Sequence, residues 1–259
     1  MTEAIASAAD RLLAAASSRQ PCAPVRDLIG STDVDAAYAV QQALTEARLA
    51  AGARITGRKI GLTSDAVRRQ MSVFQPDFGV LFNDRGYASG ETLPLSGLLQ
   101  PRVEAEIAFV LGRDLDLPHA SVADVLRATE FVLAAIEVVD SRIAGWDITI
   151  TDTVADNASS GCYVLGTVAR SLLGLDLARV GMVVEHDGSE VSAGSGASCM
   201  GSPVTAVAWL AREVARRGMP LQEGEIVLSG ALGPVVPVDK PGSFTARIDG
   251  FGEIEAVFA

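Results

Sequence analysis

The chain has 259 residues, 49% of them hydrophobic, and a formal net charge of −11: enough to bury a substantial core, and too acidic for the basic face that nucleic acid or an anionic membrane requires. No apolar run approaches the roughly 20 residues of a membrane span, and Glu3, Asp10 and Arg11 interrupt the opening segment where a signal peptide needs an apolar core, so a cytoplasmic protein is expected. Cys22, Cys162 and Cys199 lack C-x-x-C spacing and suit reduced thiols, which leaves a small ligand as the expected partner.

Two helical patterns come first, over residues 3–18 and from a cap at Thr32 or Asp33 to a stop at Gly52. From Ile55 the texture turns to short strands punctuated by Gly, Asp and Pro, with brief helices over residues 64–71 and 121–129. The carboxy-terminal half reads mostly as strand. Residues 182–191 form a hairpin turning on Asp187-Gly188, and residues 244–248 and 254–258 flank a Gly-rich turn. Ser202-Pro203 opens one amphipathic helix that ends at Gly218. The fold class is therefore α+β, with a small helical region over residues 1–56 and a large mixed β-domain over residues 57–259.

Three glutamates stand out against this pattern. Glu104 and Glu106 lie inside the apolar run Val103 to Leu111, and Glu137 inside Phe131 to Val139. An ionised carboxylate in the interior is costly unless paired or bound to a cation. In a strand, residues i and i+2 share a face, so Glu104 and Glu106 aim at one point while Ala105 and Ile107 turn the other way. One Mg²⁺ or Mn²⁺ held by the three carboxylates would keep about three positions for water or substrate, an open site. The alternative is a half-exposed pair on an edge strand and an unrelated third acid.

Lysine is rare here: Lys59 and Lys240 are the only two among 21 basic residues. A lysine kept in Gly57-Arg-Lys-Ile-Gly-Leu-Thr63 is a candidate for work that needs a compact, tunable ammonium, against the alternative of a snorkelling surface residue. Asp77 stands in the loop-like Gln75-Pro-Asp-Phe-Gly79, over a pocket or merely capping a turn. The segment Asp156-Asn-Ala-Ser-Ser160 could hydrogen-bond a ligand carboxylate or close a turn. Gly194 to Gly201 matches no nucleotide-binding spacing, and His119 and His186 suggest no triad.

Taken in order, these segments, with Pro101-Arg-Val-Glu-Ala-Glu-Ile-Ala-Phe109 and Ala135-Ile-Glu-Val-Val-Asp-Ser-Arg142, resemble the 2-keto-4-pentenoate hydratase and 4-oxalocrotonate decarboxylase family, a branch of the fumarylacetoacetate hydrolase superfamily. The resemblance implies a rolled, barrel-like catalytic sheet. It implies Mg²⁺ or Mn²⁺ on Glu104, Glu106 and Glu137, with Lys59 and Asp77 as catalytic groups and Asn157, Ser159 and Ser160 fixing the substrate carboxylate. Asp77-Phe78 and Gln100-Pro-Arg102 look like the hydratase branch. The implied reaction is hydration of 2-hydroxypenta-2,4-dienoate to 4-hydroxy-2-oxopentanoate in meta-cleavage catabolism of aromatic or steroid rings. Decarboxylation of 2-oxohex-3-enedioate is the first alternative, and a non-catalytic metal- or keto-acid-binding partner subunit the second. A homo-oligomer, in contact with a pathway enzyme, is the implied assembly.

Overall fold

The computed structural model describes residues 2–259. Three helices open it: α1 (Glu3–Ser18), α2 (Arg26–Ile29) and α3 (Val34–Ala50). The caps are local and polar, with the Thr2 hydroxyl accepting from Ile5 N–H and Asp33 from Ala36 N–H. Next come β1 (Ile55–Gly61), α4 (Asp65–Met71), β2 (Asp77–Phe82), the short β3 (Gly86–Ala88) and β4 (Thr92–Leu93), and then β5 (Pro101–Leu111). α5 (Val122–Ala128) leads into β6 (Thr129–Asp140), and α6 (Ile150–Ala155) into β7 (Ser160–Leu165). The chain finishes with β8 (Gly181–His186), β9 (Ser189–Ser195), α7 (Pro203–Arg216), β10 (Ile226–Leu228), β11 (Val236–Pro237), β12 (Gly242–Ile248) and β13 (Gly252–Phe258).

The strands make two sheets. An eight-stranded mixed sheet runs β2-β1-β10-β5-β6-β7-β3, with β11 also paired to β5, and it curls into a half-barrel. The five-stranded sheet runs β4-β13-β12-β8-β9. The main core lies between them: Ile107, Phe109 and Ile136 of the large sheet meet Phe244, Ile254 and Phe258 of the small one, joined by the Val204, Val207, Leu210 and Val214 stripe of α7. These positions alternate along β5, so the opposite face of that strand carries Glu104 and Glu106. A second apolar cluster joins α1 and α3 to α4, α6 and Val139, and its members Leu62, Val67, Met71 and Ile148 stand over the acidic face. Gln41 of α3 ties these layers together, its side-chain amide donating to both Phe78 O and Val154 O at 2.9 Å.

Three details depart from the sequence-based expectation. β5 and β6 are long strands of 11 and 12 residues, paired from Pro101↔Asp140 to Leu111↔Thr129. Asp77 is not in a loop but is the first residue of β2, opposite Gly61 of β1. And α6 is a helix in the β-branched stretch Ile-Thr-Asp-Thr-Val, where propensity is overridden by contacts at its start. There Asp152 accepts from Thr149 N–H and hydroxyl, from Val25 and Arg26 N–H, and from the Arg26 guanidinium.

Candidate metal centre and catalytic pocket

Strand register builds the acidic cluster. In the β5–β6 ladder Glu104 stands directly opposite Glu137, and Glu106 follows on the same face. One carboxylate oxygen from each of the three lies within 4.8 Å of the others. Glu106 and Glu137 are completely buried. Glu106 Oε2 accepts from Gly230 N–H at 2.7 Å, but Glu106 Oε1 and both oxygens of Glu137 have no hydrogen-bond partner among the described residues. Burial, then the charge of Glu137, pushes the Glu104 pKa up to about 7 and holds that of Glu106 well above the usual carboxylate range. Burial raises Glu137 too, against the pull of Lys59.

Lys59 enters from β1, where it pairs with Gly79 of β2 and Leu228 of β10. Its Nζ donates to Ala158 O at 2.9 Å and lies 3.2 Å from Glu137 Oε1, within ion-pair reach but unaligned for a hydrogen bond. Burial works against the ammonium, yet Glu137, Asp77, Glu104 and Glu106 together outweigh it and hold the Lys59 pKa above its ordinary value. Asp77 is equally buried; its Oδ2 accepts from the Thr153 hydroxyl at 3.0 Å, and its Oδ1 has no partner among the described residues. Burial raises its pKa, and Lys59 opposes the rise. A Cβ on Gly61 would fall 2.1 Å from Asp77 Oδ1, so only glycine there lets the carboxylate lean over β1. Lys59, Asp77, Glu104, Thr153 and Ser159 line one small cavity of about 30 Å³.

The family model for the fumarylacetoacetate (FAA) hydrolase C-terminal domain matches residues 53–259. The chain belongs to this family. The TodF product hydratase of Pseudomonas putida is 56% identical over 100% of this chain and 96% of its own length. A 2-keto-4-pentenoate hydratase of Paraburkholderia xenovorans is 52% identical over 97% of this chain and 93% of its own. Among solved structures, 4-oxalocrotonate decarboxylase from Pseudomonas putida G7, complexed with magnesium and adipate, superposes with a TM-score of 0.94 at 33% identity, over 100% of this chain and 99% of that one.

In this FAA hydrolase-family member the carboxylate trio fits a divalent metal on its own chemistry. Three buried oxygens of Glu106 and Glu137 without partners among the described residues, in a trio with Glu104 whose members burial pushes toward protonation, are a donor set that a hard cation satisfies and that little else does. Of the residues expected to fix the substrate carboxylate, Asn157 and Ser160 lie away from the acidic cavity. Asn157 does not face the pocket: its Oδ1 accepts from Val80 N–H at 2.7 Å and its Nδ2 donates to Val80 O at 2.9 Å, so strand β2 consumes the amide. Ser160, which begins β7, and Asn157 line a larger cavity of about 150 Å³, between α1, α3 and the sheet, that holds none of the three glutamates and neither Lys59 nor Asp77. Of the three proposed carboxylate-binding residues, only Ser159 reaches the acidic pocket.

Sequence reasoning missed Thr153, Gly230 N–H and the Ala158 carbonyl. Thr153 was hidden in a helix that its residue types disguise, and a backbone group has no residue-type signal at all.

Proposed function

We infer that this chain is a metal-dependent hydratase that adds water to 2-hydroxypenta-2,4-dienoate, or a close analogue, to give 4-hydroxy-2-oxopentanoate in meta-cleavage catabolism of aromatic or steroid rings. One observation carries the reading: three metal-type carboxylates cluster within 4.8 Å of one another, and one of them, Glu104, lines a small cavity together with Lys59 and Asp77, in a chain 52% and 56% identical to hydratases over nearly their whole length. Glu104, Glu106 and Glu137 would hold the metal. The all-oxygen, carboxylate-rich set favours Mg²⁺ or Mn²⁺ over softer ions, and the decarboxylase relative was solved with magnesium. When bound, the metal supplies Lewis-acid stabilisation of charge at the substrate's 2-oxygen and a fixed point for its carboxylate.

The protein's own groups handle protons. Asp77 Oδ1, the free oxygen of a carboxylate whose other oxygen is fixed by Thr153, takes the 2-hydroxyl proton, and a proton delivered to C5 completes ketonisation to the enone. Water then adds at C4 while C3 gains a proton. Lys59 keeps its protons under the pull of four carboxylates, so it serves as donor and as electrostatic partner of the developing anion. Ser159 presents its hydroxyl in the same wall. Leu62, Val67, Met71, Val139, Trp146 and Ile148 exclude water around these groups, which strengthens each charge interaction.

Decarboxylation is the competing reading, because the decarboxylase shares the whole fold. Against it, Lys59 is the one cation among the described residues that line the pocket, where the other charged side chains are Asp77 and Glu104, so a second substrate carboxylate meets no second cation. The deciding measurement is the ultraviolet absorbance of freshly generated 2-hydroxypenta-2,4-dienoate with the protein and Mg²⁺ or Mn²⁺. A hydratase bleaches it; a non-catalytic binding subunit leaves it unchanged and removes the proposal. Carbon dioxide release from 2-oxohex-3-enedioate, faster than dienol consumption, would transfer the chain to the decarboxylases.

A further inference from the structure

We propose that the turn Asn157–Ala158–Ser159 is a positioning device for the Lys59 ammonium, and that Asn157 acts in catalysis through this turn and not on the substrate. The proposal rests on the reading of Lys59 as a proton-handling group. Three consecutive side-chain-bearing residues here have φ of 55°, 51° and 52°, a left-handed run that L-residues disfavour. Such backbone persists only where its surroundings over-determine it.

The surroundings do so from both sides. Asn157 uses its side-chain amide as a strand neighbour would, accepting from Val80 N–H and donating to Val80 O. Behind the turn, Arg142 donates to Ser160 O at 2.8 Å and to Asp156 O, and pairs with the Asp156 carboxylate. Ser159 N–H donates to Asp156 O at 3.0 Å. In front, a Cβ on Gly79 would lie 2.4 Å from Asn157 O, so the bare glycine lets the turn seat against β2.

What this framework presents to the pocket is the Ala158 carbonyl, the only aligned hydrogen-bond acceptor of Lys59 Nζ among the described residues. That matters because a lysine carries a point charge on a flexible four-carbon stem. Four buried carboxylates attract it, and Glu137 is already 3.2 Å away without a hydrogen bond. Drawn further by charge alone, the ammonium would settle among the oxygens that suit a metal. The carbonyl ties one N–H back and leaves the ammonium between the acidic trio and Asp77. Asn157 is thus a positioning residue.

Two variants test this from opposite sides, Asn157→Ala by removing the clamp and Gly79→Ala by crowding the turn from β2 while keeping the Asn157 side chain. The expected result for each, in protein with wild-type far-ultraviolet circular dichroism, is a fall in kcat of at least about tenfold. KM for 2-hydroxypenta-2,4-dienoate and the calorimetric dissociation constant for Mn²⁺ should stay within about twofold. Asn157→Asp, which keeps the acceptor for Val80 N–H, should recover part of kcat. A raised KM at unchanged kcat would make Asn157 a substrate contact and overturn the proposal, as would wild-type kcat in whichever of the two variants folds. Lys59→Met separates the two layers: if it is inactive while the turn variants are normal, the positioning role alone falls; if it turns over at the wild-type rate, the role of Lys59 falls and the turn's with it.

Discussion

At the scale of single residues the site is a problem in charge crowding. Glu104, Glu106 and Glu137 share a dry volume with one ammonium, and their raised pKa values record how poorly that ammonium alone compensates them. Glu106→Gln is the sharpest probe, because glutamine keeps the side-chain volume and can still accept from Gly230 N–H while removing one anionic ligand. Circular dichroism of that variant should match wild type, with dienol turnover abolished at any Mg²⁺ or Mn²⁺ concentration; full activity without metal would end the model. For Lys59→Met, dienol consumption should vanish while Mn²⁺ affinity, followed by calorimetry, is retained or tightened, since a neighbouring positive charge has gone. The glutamates were legible in the sequence because a strand has a period of two and because acids stand out in apolar runs. Asn157 was not, since an amide beside a ligand and an amide beside a strand are the same residue type in the same spacing.

Elements set how those residues meet. The β5–β6 register converts two distant motifs into one cluster, and α3 and α6 close it through Gln41, whose amide serves two buried carbonyls. Gln41→Ala leaves Phe78 O and Val154 O without that donor and should cost about 1–3 kcal/mol. Thermal unfolding reads this as a fall in Tm of several degrees, at about 2–4 °C per kcal/mol for a chain of this size; an unchanged Tm would show that water replaces the amide. Helices α1, α3 and α7 were readable from capping residues and apolar periodicity. Helix α6 was not, because its β-branched residues favour strand and its stability comes from Arg26 and the Val25 and Arg26 amides, more than a hundred positions away in sequence. The strand position of Asp77 is hidden in the sequence for a related reason: Pro76 and Gly79 look like turn signals, yet Gly79 serves close packing against the 157–159 turn inside a paired strand.

For the whole molecule, the acidic trio should make stability depend on metal. Anything that binds the folded chain and not the unfolded one stabilises it, by about 2.7 kcal/mol when free ligand is a hundredfold above its dissociation constant. Mg²⁺ or Mn²⁺ should therefore raise Tm in wild type, chelator should reverse the rise, and Glu106→Gln should show little of it; an equal rise in both proteins would place the stabilising ion elsewhere. No helix among the described residues is long and apolar enough to cross a membrane, in keeping with the interrupted apolar runs.

The sequence by itself determined the class of fold, the positions of most helices, the family, and the three acids, because those rest on local periodicity and on residue types that are improbable in apolar surroundings. Only the tertiary structure decided that Ser159 and not Asn157 or Ser160 faces the acidic pocket, that Thr153 holds Asp77, and that a backbone carbonyl meets Lys59. Those outcomes depend on which side of a single left-handed turn each atom leaves, and on contacts between segments that chain-local patterns do not encode.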